Sequence, residues 1–414
     1  MKLGNTGRTI RAGIIGLGCR SKEQIRCLAA MQDVEIAAVC DVYEDRVKEA
    51  QDTLEAARGL RPDGTCDDRE VTSRQDIEAV FIFTSWQTHV RIAVDAMKHG
   101  ITPAIEVGGA TSLEECWELV RVSESTGVPV MLLENCCYNK TEMALLNMVR
   151  QGVFGEIVHC RGGYQHDLRD EIGLGDVNRH YRQDHFLHRN GELYPTHELG
   201  PIAQYLNINR GNRMMTLVSM SSKAVGEHAW MQENRPDSPL AQAKFNEGDV
   251  VTTMIRCANG ETIVLTHDCT LPRPYSRGGY LQGSRGLWQE DGRLIYLEGR
   301  SGRHAFESDA EYMKEYKHPL WKEYEEFGLR GGHDGMDYLV LRAFIESIQT
   351  GVAFPIDVYD AAAWMAITCL SEESIARGSV PVAIPDFTGG RWLKRETRPG
   401  DIFSLDAVYP EAFE

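Results

Sequence analysis

The tightest constraint on this chain is a glycine pattern near its N-terminus, Gly13-Ile14-Ile15-Gly16-Leu17-Gly18-Cys19-Arg20-Ser21. An apolar run, Arg11 to Gly16, leads into it, and a helical pattern from Ser21 to Met31 follows. Gly16 permits the tight turn from strand to helix. Gly18 lets backbone approach a pyrophosphate, whose charge meets the helix N-terminus. Ser21 takes the third position, where a small residue packs helix on strand. Asp41 closes the next predicted strand, Glu35 to Cys40, 25 residues after Gly16. A carboxylate there accepts from the adenosine ribose hydroxyls and repels a 2′-phosphate, so NAD is expected over NADP.

The segments that follow alternate in the same way. A helix is predicted over Glu44 to Arg58, a polar loop over Gly59 to Arg69, a strand over Ala79 to Thr84 and a helix over Val90 to His99. Strands Thr102 to Glu106 and Pro129 to Leu133 flank a helix over Leu113 to Thr126. Such alternation gives a parallel sheet with helices on both faces. After Asn135 the pattern changes. A helix, Glu142 to Gln151, precedes strands Ile157 to Gln165, Leu217 to Ser221, Val250 to Cys257, Thr262 to Asp268 and Leu294 to Leu297. Their Thr, Val and Ile content and short connections predict a largely antiparallel sheet. Helices over Met336 to Thr350 and Val358 to Arg377 precede a tail with little periodicity.

The fold class is therefore an α/β Rossmann domain plus an α+β domain with a largely antiparallel open sheet. The expected division puts dinucleotide binding in residues 1–135 and substrate binding and oligomerisation in residues 136–414. The C-terminal stretch is expected to pack back on the first domain. An open sheet face predicts a homo-oligomer.

Composition narrows the partners. Net charge is −17, which argues against nucleic acid and anionic membranes. No stretch is long and apolar enough to span a bilayer, and Met1 to Arg11 lacks an apolar signal core. Eleven scattered cysteines without a C-x-x-C pair read as reduced thiols. The chain as written is expected in the cytoplasm, or in the periplasm or outside if a leader has been removed.

Two more segments fall at predicted strand ends, where this fold binds ligands: Trp86-Gln87-Thr88-His89 and Glu106-Val107-Gly108-Gly109. Many sugar dehydrogenases of this architecture carry Glu-Lys-Pro at the second. Val107 stands in place of that lysine, which argues against net alcohol oxidation. Farther on come Arg182 and, twelve residues later, Tyr194-Pro195-Thr196-His197. Histidine is the side chain suited to accept a proton near neutral pH, so His197 is the candidate base. Tyr164 and Tyr194 are candidate proton donors or, if perturbed, bases. Arg182 offers fixed hydrogen bonds to the oxygens of a polar ligand. Glu134 reads either as a supporting carboxylate or as an acid/base. His180, Asp184, His185 and His188 read as a polar face, and no metal is expected. Arg273 and Arg277 read as shaping the loop that presents Tyr275.

The order of these elements resembles the Gfo/Idh/MocA oxidoreductase superfamily. Within it the chain is similar to glycoside hydrolase family 109, the NAD-dependent α-N-acetylgalactosaminidases. Six segments carry the similarity: Glu134-Asn135-Cys136-Cys137-Tyr138, the Tyr194 to His197 tetrapeptide, Asn207-Ile208-Asn209-Arg210-Gly211, Val218-Ser219-Met220-Ser221-Ser222, Pro272-Arg273-Pro274-Tyr275-Ser276, and Val358-Tyr359-Asp360-Ala361-Ala362-Ala363-Trp364.

The resemblance implies that Gly16, Gly18, Cys19, Arg20, Asp41, Trp86, Gln87, Thr88, His89, Glu106, Val107 and Asn135 contact NAD. It places Tyr164, Arg182, Tyr194, Pro195, Thr196, His197 and Tyr275, with Glu134, around the sugar. The implied reaction takes hydride from sugar C3, which acidifies C2–H. The C1 substituent then leaves, water adds, and the hydride returns, with no net oxidation. The alternative is an NAD-dependent sugar or cyclitol dehydrogenase. Ser21, Gly108-Gly109 and Glu198 depart from the family pattern, and Glu198 is expected to add charge beside the sugar.

Overall fold

The computed structural model describes residues 8–328, 331–395 and 402–405. Its first sheet is parallel and has six strands: β1 (Ile10–Ile15), β2 (Val34–Cys40), β3 (Asp63–Thr65), β4 (Ala79–Ile82), β5 (Thr102–Ile105) and β6 (Met131–Leu132). They lie in the order β3-β2-β1-β4-β5-β6. Helices α1 (Cys19–Ala30), α2 (Glu44–Arg58), α3 (Asp68–Thr72), α4 (Trp86–Lys98) and α5 (Leu113–Thr126) make the crossovers. The order reverses between β1 and β4, so a crevice opens at their C-terminal ends. β4 is buried throughout because helices cover both faces, hence its unbroken apolar run.

Two local expectations are corrected here. The stretch Gly59 to Arg69 is not all loop: it contains β3 and the start of α3. β3 is an exposed edge strand of Asp, Gly and Thr, which has no apolar alternation to read. Asp67 caps α3 by accepting from the Arg69 N–H at 3.0 Å. Likewise Trp86 to His89 is the first turn of α4 rather than a loop.

The second sheet has nine strands: β7 (Ile157–Gln165), β8 (Met214–Ser221), β9 (Val251–Cys257), β10 (Thr262–Asp268), β11 (Tyr280–Gly283), β12 (Gly286–Gln289), β13 (Leu294–Leu297), β14 (Glu307–Ser308) and β15 (Val382–Ala383). Their order is β14-β13-β12-β11-β7-β10-β9-β8-β15. β7 and β10 run parallel and the other neighbours are antiparallel. The sheet is thus largely antiparallel, as expected. The hairpin β11–β12 escapes sequence reading because glycine ends one strand and begins the next. The tail also gives β15, a two-residue edge pairing with β8.

Burial alternates strictly along β9: Val251, Thr253, Ile255 and Cys257 are buried, while Thr252, Met254 and Arg256 are exposed. One sheet face therefore packs under helices and the other stays open. The helix Thr196–Tyr205 lies on β7, which brings the Tyr194 to His197 corner beside Tyr164 on the inner face.

The helix Met336–Thr350 returns to the first sheet. Buried Arg342 donates to both carboxylate oxygens of Asp33 at 2.7 Å and to Glu346 at 2.8 Å. Each charge is paired, without which the burial would be costly.

Candidate active site

The dinucleotide crevice starts at Gly16. Its φ is +94°, and a Cβ there would sit 2.5 Å from the Phe83 carbonyl carbon at the end of β4. Only glycine satisfies both demands. At Gly18 a Cβ would meet nothing closer than the Arg46 guanidinium at 3.6 Å, so space is open above the helix N-terminus. Ser21 is fully buried and donates to the Gly18 carbonyl at 2.8 Å, which accommodates its hydroxyl where the fingerprint has glycine. Cys19 is exposed at the start of α1.

Asp41 is held in place by its neighbours. Oδ2 accepts from the Leu17 N–H at 2.7 Å and Oδ1 from the Tyr43 N–H at 3.0 Å. Each oxygen keeps a second lone pair for a ribose hydroxyl.

Trp86, at the head of α4, lies against Tyr194 with ring centroids 5.7 Å apart. The residues expected at the cofactor and those expected at the sugar therefore meet at this contact. Gly108 makes it possible: φ is +154°, and a Cβ would overlap the Trp86 indole. Gln87 is exposed, and the Thr88 hydroxyl bonds Thr84 Oγ1 at 2.8 Å. Burial pushes His89 down to about 4, so its ring is neutral and donates to the Thr84 carbonyl at 3.0 Å. Glu106 accepts from its own neighbour Val107 N–H at 2.9 Å and from Arg20 Nε at 3.1 Å. Asn135 Oδ1 and Trp86 Nε1 are buried polar atoms without a protein partner. Such atoms cost free energy unless a ligand satisfies them, which fits a bound dinucleotide.

On the sugar side the rings gather tightly. Tyr164 and Tyr194 centroids are 4.6 Å apart, and Tyr194 and His197 are 4.8 Å apart. The Arg182 guanidinium lies 5.2 Å from the Tyr194 ring centre and 5.7 Å from that of Tyr164. Burial pushes the Tyr164 phenol up to about 12, against the pull of Arg182, and pushes Tyr194 up as well. Both phenols are therefore neutral donors near pH 7. Tyr275 stands at the rim, half exposed, with its ring 6.3 Å from Tyr164.

Beneath these rings, His197 Nδ1 is 2.8 Å from Glu134 Oε1. The same oxygen accepts from the Cys136 N–H at 3.0 Å. Burial alone would raise the Glu134 carboxyl, but the His197 ring and these hydrogen bonds hold it below its ordinary value. A carboxylate there fixes the histidine tautomer with its proton on Nδ1. Nε2 is left facing the Tyr194 hydroxyl at 3.5 Å. Glu134 and Thr196 have no exposed surface, and Pro195 is buried. These three lie a layer below Tyr164, Arg182, Tyr194, His197 and Tyr275.

Residues 10–133 match the oxidoreductase family with an NAD-binding Rossmann fold. Residues 138–394 match the C-terminal domain of glycosyl hydrolase 109. A Tannerella forsythia protein named alpha-N-acetylgalactosaminidase is 41% identical over 95% of this chain and 89% of its own length. The chain belongs to glycosyl hydrolase family 109. A Stenotrophomonas maltophilia family 109 protein is 40% identical over 97% of this chain and 93% of its own length. Among solved structures, an inositol dehydrogenase homolog from Azotobacter vinelandii, complexed with NAD+, shares the fold at a TM-score of 0.66. It is 18% identical and covers 92% of this chain and 98% of its own.

This family 109 member is accordingly a glycosidase that uses NAD. Gly16, Gly18, Asp41, Trp86 and Asn135 are the residues that could hold that cofactor, through the turn, the open space, the free acceptor lone pairs and the unpaired polar atoms just described.

One expectation about this family member is corrected. Glu198 does not add charge beside the sugar. It points away from the site, toward β7, where a Cβ on Gly162 would overlap its side chain. There it pairs with Arg277 at 3.4 Å, and Arg277 also pairs with Glu142. Arg277 thus offsets part of the charge of this buried pair, and burial and Glu142 push the Glu198 carboxyl well above its ordinary value. The polar residues His180, Asp184, His185 and His188 do not converge. His180 faces Glu171 at 3.6 Å, His188 faces Asp184 at 3.4 Å in solvent, and His185 is buried with its Nδ1 3.3 Å from Arg189. Glu134, Cys136 and His197 lie close enough to share an ion. Burial holds the Cys136 thiol protonated, however, and the other two already bond each other.

Sequence reading missed four residues. Glu171 accepts from Arg182 at 2.7 Å. Tyr181 packs its ring 5.0 Å from Trp86. His166 Nδ1 lies 3.2 Å from the Tyr164 hydroxyl. Its spacing of two from Tyr164 was a readable signal, because alternate strand residues share a face. Asp337, which binds Arg20, left no local signal at all.

Proposed function

We propose that this enzyme hydrolyses α-N-acetylgalactosaminides, and a broader range of hexosides, by oxidation at C3, elimination across C1–C2, water addition and re-reduction. One observation carries the route: Glu134 holds His197 Nδ1 at 2.8 Å, which turns His197 Nε2 toward the neutral Tyr194 phenol. The choice of sugar rests on the name of the Tannerella forsythia relative.

NAD held over Gly16, Gly18 and Asp41 would supply a reversible hydride acceptor for C3. The C3 hydroxyl proton leaves to solvent as the hydride is lost; His197 Nε2 takes the C2 proton once C3 is a carbonyl, and the departing C1 oxygen takes a proton from water. The Tyr164 and Tyr194 phenols donate to the oxygen at C3, whose negative charge grows as the enolate forms. Arg182, held by Glu171, fixes sugar oxygens and adds positive charge at the same place. The two-carboxylate route of most glycosidases needs a pair flanking the bond. Here Glu134 is fully buried beneath His197, and Glu171 is taken up by Arg182.

The same reading assigns residues 1–135 to the cofactor and residues 136–414 to the sugar and to self-association. Met220 and Met254 stand exposed on the open face of the second sheet, which supports a homo-oligomer packed there. Among the described residues no helix is long and apolar enough to cross a membrane. Eleven free cysteines support a reducing, cytoplasmic setting.

Hydrolysis in D2O tests the route. Deuterium at C2 of the released sugar is the expected result. Turnover with C2 fully protiated would overturn the elimination step.

A further inference from the structure

We infer that Asp337 is a positioning residue for the dinucleotide, setting Arg20 and Asn135 in place from the start of the helix Met336–Thr350. The inference rests on NAD binding at the glycine loop and not on the choice of sugar.

Asp337 has no exposed surface, yet it gathers donors from two distant parts of the chain, Arg20 and Asn135, beside His333 four residues before it. Arg20 Nη1 and Nη2 donate to its two oxygens at 2.8 Å each. Asn135 Nδ2 donates to Oδ1 at 2.6 Å, and His333 Nδ1 lies 2.7 Å from Oδ2. Arg20 sits at the N-terminal turn of α1, where the pyrophosphate is expected. Its remaining Nε donates to Glu106, so two carboxylates fix the guanidinium plane.

The bond to Asn135 matters in a different way. An amide that gives its N–H to Asp337 must turn its carbonyl elsewhere. Asn135 Oδ1 is that carbonyl, buried and without a protein partner. It is a preset acceptor for an N–H or hydroxyl of the cofactor. Without the Asp337 carboxylate the amide is free to flip and Arg20 is free to swing.

The backbone leading to Asp337 is shaped for this seat. A Cβ on Gly331 would come 2.6 Å from Cys27 Sγ of α1, so the segment lies directly on that helix. His333, Asp334 and Gly335 have φ of 47°, 55° and 101°. Two consecutive non-glycine residues in the left-handed region are costly and persist only where surrounding contacts hold them. The contacts in question are those of Asp337, two residues on.

The test uses Asp337→Asn, purified and stripped of cofactor, with NAD binding measured by titration calorimetry. Kd for NAD is expected to rise about 10- to 100-fold, the worth of one charged hydrogen-bond set. The loss should fall on NAD affinity, with most of kcat recovered at saturating NAD. Asp33→Asn is the comparison, since it removes the Arg342 partner from the same helix without touching Arg20. It should lower the melting temperature and leave Kd within about twofold. Equal losses of NAD affinity in both variants would overturn the assignment, because general loosening would explain them. Hydrogen exchange on the unmutated protein gives a second arm that needs no variant to fold. NAD should slow exchange across residues 331–337, and unchanged exchange there would overturn the inference.

Discussion

Glu134 Oε1 accepts a hydrogen bond from His197 Nδ1 at 2.8 Å across 63 residues of sequence. Glu134 follows the last strand of the first sheet, and His197 opens a helix lying on the second. The residue proposed as the base is therefore oriented by a residue at the seam between the two sheets.

Replacing Glu134 by Gln keeps the volume and removes the charge that selects the tautomer. Turnover should fall about 10²- to 10⁴-fold, with the far-ultraviolet circular dichroism spectrum unchanged. Turnover within about threefold of the unmutated enzyme would show that the tautomer does not need Glu134.

His197→Ala should lose C2 exchange altogether while NAD still binds, because Asp41, Gly18 and Asn135 are untouched. Exchange can be followed by NMR on the free sugar. Persistent exchange would pass the base role to Tyr164 or Tyr194.

Gly162→Ala places a Cβ onto the Glu198 side chain. Overpacking of this kind costs about 1–3 kcal/mol, which denaturant unfolding would register. Glu198→Gly in the same protein removes both clashing carbons, including the Cβ that would lie 2.5 Å away, so the double variant should recover part of the loss. Additive losses would mean that the two side chains do not compete for this space.

Glu192 gives a pH prediction. It is fully buried, and burial pushes its carboxyl up to about 7 despite His267 nearby, with Glu247 adding to the rise. The folded state holds the proton more tightly than the unfolded chain, whose glutamates titrate near 4.3. This group favours folding below that unfolded value, and the benefit is lost as pH rises through about 7. Glu192→Gln should therefore raise the melting temperature by about 2–5 °C at pH 8 and have little effect at pH 4.5. An equal shift at both pH values would contradict the assignment.

What could be read from the sequence was whatever has a local code. Gly16, Gly18 and Asp41 are fixed by the sterics of one turn and one strand end. His197, Tyr194 and Arg182 were readable from motif and resemblance. Two kinds of feature were not readable. Edge strands such as β3 are short and polar, and helix α4 begins four residues earlier than expected, at Trp86 rather than Val90, because its first turn carries no apolar period. Side-chain direction was the other. Consecutive helical residues point about 100° apart, so a site-facing His197 sends Glu198 toward β7. Pairings over long separations, Arg20 with Asp337 above all, exist only once the helix Met336–Thr350 has returned to the first sheet.

The central claim is a glycosidase whose NAD is restored within each turnover. Its most direct test follows p-nitrophenyl α-N-acetylgalactosaminide with NAD-loaded enzyme in one cuvette, reading nitrophenol release and NADH absorbance together. Sustained nitrophenol release with flat NADH absorbance is the predicted result. NADH accumulating without nitrophenol would contradict it and make the enzyme a net dehydrogenase.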